Sequence, residues 1–547
     1  VGGRAALLLA AVALAACTEV GGAPGERAAG SGGERPVAGD TLVEATIADI
    51  SGLIPNLTSD GASHDVGNLL YNGLVRADRE LNIQGDLAES WTFSPDCLSL
   101  TFRLRDTVRW HDGRPFTADD VVFTHEAMVH PRTPSPYKDD FQAVQRVEAL
   151  DPRTVRVSYA RPYAKALQTW SMWMLPRHRL QRYVEEGRLR EAPEHRQAPV
   201  GTGAYRFREW RPGEKIVLTA NPDYYEGPPY LSRIVYRVIP SQATVFLELK
   251  ARGVDIANVT ALQYTRQTEY PAFRKAYRKY RYAEPVYTYF GLNHRDPRFA
   301  DRRVRQAFAH AIDRQALVEG VRYGLAREAT GPYKPGTWVY NPGVRRYPYD
   351  PARARRLLAE AGWTETNADG LLVKEGRPFT FTVLTNQGND ERKKVAEIIQ
   401  AALRDVGVGV EIRVIEWAAL LKEYVKKRRF EALVLGWGIG LDPDQYAIWH
   451  SSKTGPDDFN TISYANPEVD ALLERGRSTC FQAERKQHYD RLQEILAEDQ
   501  PLIFLYFRDA LPIVSSRVHG IEESPNGIRF NFTEWFVPLS LQRYTAG

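Results

Sequence analysis

Residues 87–124 read LAESWTFSPDCLSLTFRLRDTVRWHDGRPFTADDVVFT. Leu98, Leu100, Phe102 and Leu104 alternate with Ser99, Thr101, Arg103 and Arg105. A period of two puts the apolar set on one face of a half-buried strand in an antiparallel pair. His111-Asp112-Gly113 is a turn. Thr117 then supplies a hydroxyl to an orphan amide, and Asp119 and Asp120 favour the start of a helix. Strand pair, turn and capped helix thus follow one another within forty residues or so.

Working outward, the alternation of elements is clearest after residue 286. Strands are expected at 286–292, 379–384, 410–414, 433–435 and 502–506. Helices are expected at 302–320, 352–361, 392–406, 417–428, 467–475 and 483–499. That rhythm predicts an α/β lobe with a mixed sheet. The earlier part is richer in strands: 41–47, pairs at 144–160 and 205–220, and 234–239. A helix over 63–74 takes Ser63 as its N-cap and ends at Gly73. Residues 176–198 are basic and poorly periodic.

The chain has 547 residues, enough for several domains with real cores. Lys and Arg total 72 against 68 for Asp and Glu, a near balance that argues against a nucleic-acid partner. Eleven Trp, 28 Tyr and 21 Phe suit a large core, and also a site that stacks on an amphipathic ligand. At the N-terminus, Arg4 precedes an apolar run over 5–16 that is too short to span a membrane. It closes Leu14-Ala15-Ala16-Cys17, which resembles a lipoprotein signal cleaved before Cys17, whose thiol would carry lipid. Residues 17–40, rich in Gly, Ala and Pro, then read as a flexible tether on an exported, membrane-anchored protein. Cys97 and Cys480 remain in the body, and free thiols are expected.

Four blocks stand in order: 87–124; PVGTGAYRF (199–207) with NPDYY (221–225); YFGLNHRDPRFADRRVRQAFAHAIDR (289–314); and YDPARARRLLAEAGW (349–363). Together they resemble the extracytoplasmic solute-binding proteins of dipeptide, oligopeptide and nickel ABC importers. The resemblance covers roughly residues 41–540. It implies an α/β fold of the periplasmic-binding-protein type: two lobes, a two-strand hinge and a subdomain inserted in the first lobe. Lobe I would comprise 41–77, 199–284 and 509–540, the insert 78–198, and lobe II 285–508. Ligand would bind between lobes that close by hinge motion. The implied function is capture of peptides and their delivery to ABC permease subunits by a monomer. No catalysis, cofactor or metal is implied. Other amphipathic solutes (an oligosaccharide, an opine, a metal chelate) are the alternative, and an exported hydrolase a remote one.

The resemblance also nominates residues. The loop Ser59-Asp60-Gly61-Ala62 would lie along the ligand backbone. Asn386, Trp417 and the Gly436-Trp437-Gly438 segment would form the lobe II wall, with the strand ending at that segment. Peptide-binding relatives keep an aspartate for the ligand ammonium three residues after the tryptophan. Here that position is Gly440, and Asp442 is the nearest replacement. His64-Asp65 and His111-Asp112 look like catalytic dyads, but no nucleophile motif accompanies them. His294, His310 and His450 lack the paired spacing of metal ligands.

Overall fold

The computed structural model describes residues 35–479 and 481–544, so Cys17, the expected signal and Cys480 lie outside the described residues. Two large sheets organise the chain. A seven-stranded sheet is built from Gly39–Thr46, four strands between 205 and 258, Tyr277–Lys279 and Pro512–Ser515. Its centre is Gly39–Thr46, parallel to Leu231–Val238 along almost its whole length. A six-stranded sheet runs from Ala326–Glu328 through Leu502–Ala510, Tyr282–Leu292, Ala432–Gly438 and Thr380–Asn386 to Gly409–Ile415. The molecule is thus two-lobed. The chain passes between sheets at residues 280–281 and again at Leu511.

Cores pack on both faces of each sheet, so central strands such as Gly39–Thr46 and Ala432–Gly438 are mostly buried, while the edge strands Tyr205–Arg211 and Gly409–Ile415 carry exposed charges. Against the six-stranded sheet, one core gathers Phe299, Phe308, Phe379 and Phe381 under the helices Arg302–Ala311 and Asp390–Asp405. The other gathers Tyr287, Leu433, Trp449 and Phe504 under Gln482–Asp499. A separate four-stranded antiparallel sheet, Ala88–Phe93, Ser99–Leu104, Thr154–Tyr159 and Val144–Asp151, packs on Ala118–Val129. Leu100, Phe102 and Leu104 are buried as the alternation requires. Thr117 and Asp120 form a reciprocal capping box.

Four expectations change. The first helix runs Gly61–Leu70, and its cap is Asp60, which accepts from the Ser63 amide at 2.9 Å. It stops before Gly73, with Tyr71 extended after the last turn, and Gly73 instead leaves room for the backbone of Ser171. The helix expected over 302–320 is two, Arg302–Ala311 and Arg314–Gly320, since Ile312 is extended and Asp313 caps the second. After Trp417 the helix widens into a π turn over Leu420–Val425. The basic region 176–198 contains a helix, Arg177–Glu185, anchored by only Leu180 and Val184.

Glycines at two places are needed for close approach. A Cβ on Gly201 would stand 1.8 Å from the Leu70 carbonyl oxygen, and one on Gly203 2.3 Å from that of Leu69. This is the physical reason for Gly-Thr-Gly in the second block: the loop lies directly on the end of the first helix.

Candidate functional site

A cavity of about 210 Å³ lies where the two sheets meet. One wall is the end of the strand Gly39–Thr46 with Ala62, Asp65 and Val66 of the first helix. The opposite wall is Glu284, Arg322, Glu391 and residues 508–511, at the crossing strands. Strand ends and helix starts converge there because the sheets point their edges at the crossover.

The cavity is strongly charged, and most of its charges are paired. Glu44 bonds Arg529. Glu284 accepts from Arg508 at 2.9 Å, Glu391 from Arg322 at 2.6 Å, and Asp509 from Arg281 at 2.6 Å. Glu44 Oε2, the Tyr236 hydroxyl and Arg322 Nε are buried without partners among the described residues. Tyr236 lines the cavity, as do Glu44 and Arg322.

On the six-stranded sheet, Asn386, Trp417 and Gly436 converge on a residue that sequence reasoning missed, Arg392. Its Nη1 donates to Asn386 Oδ1 at 2.8 Å, and its guanidinium carbon lies 6.0 Å from the Trp417 ring. A Cβ on Gly436 would come within 2.9 Å of Arg392 Nη2, so the glycine lets the guanidinium rest on the strand. Arg392 has no carboxylate partner among the described residues. Burial, with Arg508 nearby, pulls its pKa down to about 10. The sequence signal was available, an arginine in the first turn of the helix Asp390–Asp405, but nothing in the spacing distinguishes it from a solvated helix face.

The other nominated residues divide. Ser59 and Gly61 are exposed, and the space beside Gly61 is open. Ala62 lines the cavity. Asp60 does not offer a free carboxylate: it accepts from the Ser63 amide and from the Ser51 and Ser63 hydroxyls. The strand expected to stop at Gly436 continues to Gly438, because Gly436, Trp437 and Gly438 pair with Thr288, Tyr287 and Val286. Trp437 is half-buried and meets Phe459 edge-on at 5.1 Å. Asp442 is not an ammonium ligand in waiting. Arg485 holds both its oxygens, at 2.9 and 2.6 Å, and one of those oxygens also accepts from the Asp444 amide.

The histidine pairs carry no dyad. His64 contacts the Thr58 carbonyl and Tyr137, and Asp112 pairs with His178 at 2.7 Å. His294, His310 and His450 bond Pro501, Pro348 and Ser452 respectively, and the described residues contain no cluster of potential metal ligands.

Away from the crossing strands, the four-stranded subdomain touches the six-stranded lobe through charge. Lys453 reaches Asp139 at 2.6 Å. Arg477 bonds Asp140 at 3.3 Å and Tyr163 at 3.0 Å, and its carbonyl accepts from the Ala164 amide. Arg190 meets Asp457 at 3.1 Å. The inserted subdomain and the six-stranded lobe are therefore in direct contact.

Two α/β lobes joined by two crossing strands, with a polar cavity between them, are the architecture of a solute-binding protein. The family model of bacterial extracellular solute-binding proteins, family 5 Middle, matches residues 82–458, and the chain belongs to that family. It is 32% identical over 544 residues to the oligopeptide-binding protein AppA of Bacillus subtilis, covering 97% of both chains. The structure of that AppA in complex with a nonapeptide superposes with a TM-score of 0.87 at 31% identity, covering 92% of this chain and all of that one. NikZ from Campylobacter jejuni, in complex with Ni(L-His), superposes with a TM-score of 0.82 at 30% identity, covering 91% of this chain and 99% of the other. Members of the family are extracytoplasmic transport binding proteins, and no described helix is long and apolar enough to cross a membrane.

Proposed function

We propose that this protein captures peptides between its two lobes and presents them to the permease of an ABC importer. The observation that carries the reading is the polar cavity between lobes, in a chain similar over nearly all its length to an oligopeptide-binding protein. Lobe I is taken as 41–77, 199–284 and 509–540, with 78–198 as its insert and 285–508 as lobe II. Ser59, Gly61 and Ala62 border the ligand from lobe I; Trp417, Gly436, Trp437 and Gly438 border it from lobe II. Asn386 acts by positioning Arg392, whose unpaired guanidinium suits a carboxylate or main-chain carbonyl of the ligand. Backbone pairing of an extended ligand supplies affinity without reading sequence.

The anchor belongs to the same reading. A signal over 1–16 is removed, Cys17 carries lipid, and the segment from Cys17 up to the strand Gly39–Thr46, which takes in residues 39–40 of the expected 17–40 tether, holds a monomeric receptor outside the cytoplasmic membrane. The deciding experiment is native mass spectrometry of the protein as purified. A ladder of peptide masses is expected. A single discrete non-peptide mass would replace the peptide reading with another solute, such as a metal chelate. Hydrolysis of a peptide mixture by the purified protein would overturn the receptor reading altogether.

A further inference from the structure

Among the carboxylates that line the inter-lobe cavity, one has no partner. Glu44, Glu284, Glu391 and Asp509 each hold an arginine. Asp65, on the first helix, makes no hydrogen bond or ion pair among the described residues, although protein surrounds it and its exposed surface opens on the cavity. The Asp65 carboxylate is exposed into the cavity, so its charge is open to a ligand that enters there. Its helix begins with Asp60, already committed to the cap, so a second acid five residues on does nothing for the helix start.

We propose that Asp65 is the specificity residue that holds a cationic group of the ligand, an α-ammonium or an amine or guanidine side chain. The inference rests on the binding-protein reading above and assigns the role for which Gly440 and Asp442 are unfit. Asp65 lines the cavity from lobe I, and Arg392 rests beside Asn386, Trp417 and Gly436 on lobe II, so each lobe carries a charge without a counter-ion among the described residues. A zwitterionic chain bridging them would tie the two lobes together, which couples recognition to closure.

The surroundings make this contact pH-dependent. Burial raises the Asp65 pKa to about 7; Arg529 opposes the rise, while Glu44, Glu284 and Asp60 add to it. The Tyr236 and Tyr282 hydroxyls also face it. In the empty cavity the carboxyl is therefore largely protonated in mild acid and ionised above neutrality. Only the ionised form attracts a cation, so affinity falls as pH drops through about 7, and binding below that point releases a proton.

The test uses the full chain and its Asp65→Asn variant, which keeps shape and removes the charge. Each is offered a mixture of short synthetic peptides in free-amino and N-acetylated forms, with and without lysine, and bound species are read by native mass spectrometry and titration calorimetry. The wild type is expected to reject peptides that are both acetylated and lysine-free. Comparing free-amino with lysine-only forms identifies which cation is used. Asp65→Asn is expected to bind about ten- to a hundredfold more weakly, the scale of losing a charge-assisted hydrogen bond, and to lose the pH dependence. Equal binding by the variant, or uptake of uncharged peptides by the wild type, overturns the proposal and leaves the peptide reading intact. If the wild type takes no peptide but carries a cationic non-peptide ligand that Asp65→Asn releases, the peptide reading falls and the role of Asp65 stands. If nothing cationic binds, both fall.

Discussion

Replacing Lys453 by Met should open the molecule. Lys453 and Asp139 join the six-stranded lobe to the four-stranded subdomain at 2.6 Å, with only 14% and 6% of their side chains exposed. Burial already pushes the Asp139 carboxyl above its usual pKa, and the Lys453 hydrogen bond is the largest opposing influence. Methionine keeps the aliphatic length and removes the charge, leaving a buried carboxylate without its direct partner. Breaking a buried pair in this way costs ~3–5 kcal/mol. Arg477 stays close enough to favour the ionised form, which argues for the lower end. Because the pair joins the four-stranded subdomain to the six-stranded lobe, opening rehydrates Asp139 and removes most of the penalty. The cost therefore falls on the closed state rather than on folding. A shift of about 2–3 kcal/mol lowers apparent ligand affinity by about 30- to 150-fold if only the closed form holds ligand tightly. Titration calorimetry with the retained ligand reads the affinity, and small-angle scattering reads the widening of the empty protein. The double variant Lys453→Met with Asp139→Asn should recover most of the loss. Affinity within about twofold of wild type, near the resolution of additive effects, with unchanged scattering, would refute the view that this contact latches the subdomain to the six-stranded lobe.

Arg392→Met should weaken binding by about 1.5–3 kcal/mol, the value of a hydrogen bond to a charged group. It should not lower the melting temperature, because it removes an unpaired buried cation; a loss of stability without loss of affinity would make the residue structural. Trp437→Ala should cost more than about 1 kcal/mol of binding as an aromatic contact is lost, and unchanged affinity in a folded variant would remove Trp437 from the ligand wall. Gly201→Ala should destabilise by about 3 kcal/mol, as overpacking against rigid backbone does, because the new methyl collides with the Leu70 carbonyl. A melting temperature equal to wild type would show that the loop and helix can separate without penalty.

Local order was legible because it depends on near neighbours. The alternation from Leu98 to Leu104 and the Thr117–Asp120 cap appear in the structure as the residues require. Errors arose where a distant segment intruded. Gly73 looked like a helix end, but the helix stops earlier and Gly73 instead makes room for the Ser171 backbone. Gly436-Trp437-Gly438 looked like a strand terminus, yet pairing with Val286–Thr288 carries the strand through it. Asp442 looked available, and Arg485, forty-three positions away, holds it.

What the sequence determined by itself was local order, since periodicities of two and of three to four and turn glycines follow from local sterics and burial, while the two lobes were implied by the resemblance that the ordered blocks carry. What only the tertiary structure decided was which charges are free. Asp60, Asp65, Asp442 and Arg392 are ordinary ionisable residues in one dimension. Folding uses Asp60 for a helix cap and Asp442 for Arg485, and leaves Asp65 and Arg392 without counter-ions among the described residues. A residue's availability depends on every partner brought within a few ångströms of it, and that is a property of the packed chain alone.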